Sequence, residues 1–68
     1  MNINIRKYII DSLKKDSPKK IKDSIETTIN TKDEDALIGL GVIFELLWIN
    51  SPNQDEYLKI IEDAIKKN

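Results

Sequence analysis

The chain contains no cysteine and no histidine. That removes disulfide staples, thiolate or imidazole metal sites, and any nucleophile–base pair built on Cys or His. Aromatics are scarce, at one Trp, two Tyr and one Phe, and none interleaves the lysines between Lys14 and Lys22, so a single-strand stacking platform is not expected. The two glycines stand together as Gly39 and Gly41. A dinucleotide fingerprint would need a third glycine where Phe44 stands, and a Walker loop would need a Gly-Lys-Ser/Thr that is absent. The glycines read instead as a place where another helix approaches closely. No apolar/polar alternation is long enough for a strand.

Small size adds a constraint. A chain of 68 residues is one domain at most, and domains of this size bury only about 60% of the surface their unfolded chains expose. Disulfides, metals and oligomerisation are the usual supports, and the composition leaves oligomerisation. The start of the chain, MNINIRKYII, shows no long apolar segment of a signal peptide, which leads to the expectation of an intracellular protein.

What is present is helical patterning in four segments. Asn2 or Asn4 can cap a first helix, from Ile3 or Ile5 to Lys15, with Ile5, Ile9 and Leu13 on one face. Ser17 and Pro18 start a second, which carries Ile21, Ile25 and Ile29 and ends near Asn30. Asp33 or Asp35 caps the third, Leu37 to Ile49, and Ser51 with Gln54, or Asn53 with Glu56, caps the fourth. Tyr57, Leu58, Ile61, Ala64 and Ile65 form the apolar face of that last helix. The fold class expected is all-α, with a single domain over residues 1–68 and the third helix at its centre.

The stretch ALIGLGVIFELLWI, Ala36 to Ile49, dominates the chain. A membrane span needs about 20 apolar residues, and a run of about 10–14 is more often a buried core helix. A helix apolar on every side needs cover on every side, and three short helices cannot supply it. Leu40, Phe44 and Leu47 are therefore expected inside the chain, and Val42, Ile43, Leu46 and Ile49 against a partner, most simply a second copy in a homodimer. Glu45 is the one charge in the stretch. It needs either a partner or a place on a solvent-facing stripe. Arg6, the chain's one arginine, offers a planar fork that suits a carboxylate. The expectation is a buried Arg6–Glu45 pair, within the chain or across a dimer.

Charge is unevenly spread. Residues 1–32 carry eight basic and four acidic groups, and residues 33–68 three basic and eight acidic. Lys14, Lys15, Lys19, Lys20 and Lys22 crowd the turn between the first two helices, three of them in the first turn of the second helix, where the dipole disfavours cations. Such a corner suits phosphate, and makes nucleic-acid contact an alternative to a plain solvated corner. The cluster Asp33, Glu34, Asp35 fails as a calcium loop, because Ile38 and Phe44 stand where Gly and Glu are required. No catalytic residue, cofactor, metal or small-molecule substrate is expected, because the remaining acids lie on polar faces or caps and no Ser–Lys pair has a recognisable context.

Four segments, NINIRKYII, IKDSIETTI, LIGLGVIFELLW and YLKIIEDAI, resemble the small acid-soluble spore protein I family of spore-forming bacteria, over nearly the whole chain. GLGVIFELLW is the most specific of them. The family carries proline just before Gly-Leu-Gly, where this chain has Ile38, so no proline marks the start of the third helix. The resemblance implies a minor spore protein made in the forespore and residing in the spore core. It does not extend to the major DNA-coating spore proteins, whose sequence pattern and germination-protease site are both missing. A disposable amino-acid reserve is a further alternative.

Overall fold

The computed structural model describes residues 4–68. They form four α-helices and one 3-10 turn: α1 Ile5–Leu13, α2 Pro18–Thr31, the turn Glu34–Ala36, α3 Leu37–Asn50 and α4 Gln54–Lys66. No strand occurs among the described residues, and the all-α class stands.

The helix starts follow from side-chain caps. Asn4 Oδ1 accepts from the Lys7 N–H at 2.9 Å, and Ser17 Oγ accepts from the Lys20 N–H at 3.2 Å, with Pro18 in the first helical position. Each satisfies a donor that the first turn leaves unpaired. The alternative cap at Asn2 lies outside the described residues. α1 stops at Leu13, short of the expected Lys15. Its end tightens, with the Lys15 N–H donating to the Ser12 carbonyl at 3.3 Å and Asp16 to Leu13 at 3.0 Å, so Lys14 and Lys15 stand beyond the last turn. α2 ends at Thr31 because Lys32 turns left-handed, with φ 53°.

The other two starts differ from expectation. Asp33 accepts from the Asp35 N–H at 3.0 Å and so caps the 3-10 turn, while α3 itself begins without a side-chain cap. The box expected from Ser51 and Gln54 does not form. Ser51 Oγ accepts from the Asn53 N–H at 3.1 Å and donates to the Tyr57 hydroxyl at 3.0 Å. Gln54 turns back instead, and its Nε2 donates to the Trp48 carbonyl at 2.7 Å, satisfying one of the orphan acceptors at the end of α3.

α1 packs on α3, and α2 joins them along a groove whose walls include Ile9, Leu13, Ile25, Leu40 and Ile43. Little of this apolar surface is covered. Val42, 6% exposed, is the one buried hydrophobic residue among those described. The radius of gyration is 13.5 Å, against about 11 Å for a compact chain of this length. No helix among the described residues is long and apolar enough to cross a membrane.

Candidate functional site

α3 departs from the sequence expectation at three of its positions. Val42, placed at a partner, is enclosed by the chain itself, while Phe44 and Leu47, placed inside, are 42% and 47% exposed. Leu40 and Ile43 are half-buried, and Leu46 and Ile49 are exposed. The physical reason is that a helix apolar all round carries no stripe to orient it. Here α1 decides: its first residues Ile5 and Arg6 share a groove with Val42 and Glu45. At about 3.6 residues per turn, Val42 falls opposite the row Leu37, Leu40, Phe44, Leu47.

Glu45 does not stand alone. Arg6 Nε donates to Glu45 Oε2 at 2.6 Å and Arg6 Nη2 to Oε1 at 2.7 Å, a two-pronged pairing. The pair is not buried. Its side chains are 68% and 41% exposed. The Arg6 hydrogen bond holds the Glu45 carboxyl below its ordinary value, and the carboxylate in turn raises Arg6. A general acid or base working near neutral pH needs the opposite shift.

The lysine corner is divided. Lys14 lies 3.6 Å from Asp11, and Lys20 lies 3.5 Å from Asp16, so two of its five cations share their field with a carboxylate one turn away. Lys15, Lys19 and Lys22 have no such pairing among the described residues. No cluster of acidic side chains able to hold a metal ion occurs among them either.

Gly39 and Gly41 were expected to admit another helix. Among the described residues none arrives, for a Cβ built on either glycine would meet nothing within 4 Å.

Comparison with known proteins places the sequence. A family profile described as small, acid-soluble spore protein I matches residues 3–65. The chain belongs to this family. A small, acid-soluble spore protein I from Geobacillus sp. (strain WCH70) is 33% identical, the match taking in 100% of this chain and 99% of that one. Its namesake from Geobacillus kaustophilus is 32% identical, over 98% of this chain and 100% of the other. The Bacillus licheniformis member is 31% identical over 97% of each. No solved structure matches significantly.

The sequence reading missed one pattern in this chain. Leu37, Leu40, Phe44 and Leu47 are spaced three, four and three residues apart, the a/d spacing with which one helix meets another along a seam. Ile38, Val42, Ile43, Leu46 and Ile49 mask it by making the rest of the helix equally apolar.

Proposed function

We propose that this protein is a non-enzymatic component of the spore, made in the forespore and held in the spore core, and that it works through contacts with protein, either a second copy or another chain. Membership of the spore protein I family supports the location. The contact half rests on one observation. Twelve large hydrophobic side chains are exposed among the described residues, from Leu46 at 38% to Tyr8 at 73%, against a single buried one. Folded proteins that act alone do not leave that much apolar surface in water. The described residues offer chemistry nothing comparable: none of the polar or charged ones is buried, and the one carboxyl with a resolved shift moves away from proton transfer.

The location is tested by imaging a fluorescent fusion through sporulation. Signal confined to the forespore and retained in the core is the expected result, and signal in the mother cell overturns it. Contact with nucleic acid through the lysine corner is tested separately, with purified chain and duplex DNA at low salt, where phosphate contacts are strongest. The expected outcome is no complex at micromolar protein. A complex that disappears when Lys15, Lys19 and Lys22 are replaced by Gln would put DNA in place of a protein partner.

A further inference from the structure

We propose that α3 pairs with α3 of a second copy of this chain along the row Leu37, Leu40, Phe44 and Leu47, and that the two helices cross closest at Gly41. The inference deepens the contact reading above by naming the partner and the face.

Three observations carry it. The first is the row itself. Its spacing is that of a helix–helix seam, and it lies on the side of α3 opposite Val42, where the chain does its own packing. Leu37, Phe44 and Leu47 are 57%, 42% and 47% exposed, so three of the four seam positions are open among the described residues, while Leu40 is half-buried where the row meets the α1–α2 groove.

The second is area. The chain exposes 6159 Å², whereas a folded monomer of 7.9 kDa is expected to expose about 4,400 Å². The excess, roughly 1,700 Å² per chain, is about twice what each partner gives to a standard interface. Summed over two copies it falls in the range of about 2,000–5,000 Å² that obligate homodimers bury.

The third is Gly41. Glycine weakens a helix interior, and a Cβ at position 41, on the open groove beside Ile5 and Arg6, would meet nothing within 4 Å among the described residues. The glycine stands one turn after Leu37, at the edge of the row. A second backbone arriving there makes use of the missing Cβ.

A second copy fits better than an unrelated protein because both features match themselves. A twofold interface sets one patch against the same patch, and an a/d row is complementary to its own image. The charge split also matches itself. Residues 1–32 carry eight basic and four acidic groups and residues 33–68 three and eight, and Arg6–Glu45 is the single ion pair joining the two halves among the described residues. A copy bearing the same split supplies opposite charge to both.

The test uses the full chain and two readouts. Light scattering at micromolar concentration is expected to give twice the chain mass of 7.9 kDa, and Leu47→Glu to shift the protein to single chains with its helical spectrum kept. The absence of native cysteine allows a second measurement that does not depend on how Leu47→Glu folds. Gly41→Cys is expected to form a disulfide-linked dimer under mild oxidation at least tenfold faster than Ile49→Cys, whose position is 72% exposed on the far side of α3. A single-chain mass with full helicity at every concentration would overturn the dimer, and equal crosslinking at the two positions would overturn the face. Neither result touches the spore location, which is read in sporulating cells.

Discussion

Arg6 and Glu45 stand 39 residues apart in sequence and meet through two hydrogen bonds of 2.6 and 2.7 Å, tying the beginning of α1 to the second half of α3. The other ion pairs among the described residues join groups three or four residues apart on one helix or across a helix start. Those can form without a tertiary fold. Arg6–Glu45 cannot, so it reports whether α1 is docked.

A double-mutant cycle on Arg6→Met and Glu45→Gln measures that docking. Each single change is expected to lower the thermal midpoint by only a few degrees, because exposed pairs are well solvated when separated. The double variant should lose clearly less than the sum of the two. Strict additivity would mean that the two side chains do not act on each other in solution.

The same pair sets a pH dependence. Arg6 holds the Glu45 carboxyl below its ordinary value of 4.5, and the unfolded chain lacks that hold, so it binds the proton more readily. The contribution is therefore fully present above the unfolded-state value and is lost as pH falls through the lower folded-state value. The thermal midpoint should be level down to about pH 5 and fall below it. In Glu45→Gln the fall should be shallower, and identical curves for the two proteins would remove the pair from the account.

Val42 is where the chain has most to lose. Val42→Ala removes two buried methyl groups and leaves a small void, an expected cost of about 2 kcal/mol. A domain of this length has little stability to spare. Ile49→Ala, at a position 72% exposed, should stay within about 0.5 kcal/mol. Chemical denaturation of the two variants side by side gives the comparison, and equal losses would contradict the orientation of α3.

Gly39 offers the reverse experiment. Its backbone does not take positive φ, and a Cβ there would meet nothing within 4 Å among the described residues. Gly39→Ala should therefore stabilise α3 by about 0.5–1 kcal/mol, seen as a higher midpoint by circular dichroism. A lower midpoint would show that some group does need that opening.

The helices were legible because local chemistry settles them. Asn4, Ser17 and Pro18 declare two helix starts through side-chain oxygens and a fixed φ, and neither depends on the rest of the fold. The orientation of α3 was not legible for the opposite reason. With Leu37, Ile38, Leu40, Val42, Ile43, Phe44, Leu46, Leu47 and Ile49 spread round the axis, hydrophobicity cannot choose an inner face, and the docking of a short α1 chooses it. Ser51 misled in a third way. Its hydroxyl has several donors and acceptors within reach, and Tyr57 and the Asn53 N–H, rather than the third residue of a capping box, take it.

The large accessible surface has a consequence for how the isolated chain melts. An unfolded chain of 7.9 kDa exposes about 11,500 Å². With 6159 Å² still open when folded, folding hides a little under half of that, where domains of similar length hide about 60%. The steepness of a denaturant transition scales with newly uncovered surface, as does the heat-capacity increment. A single copy should therefore unfold over a broad range of urea with a shallow slope and a low calorimetric peak. Steepness that grows with protein concentration would record, in the shape of the curve, surface hidden between molecules.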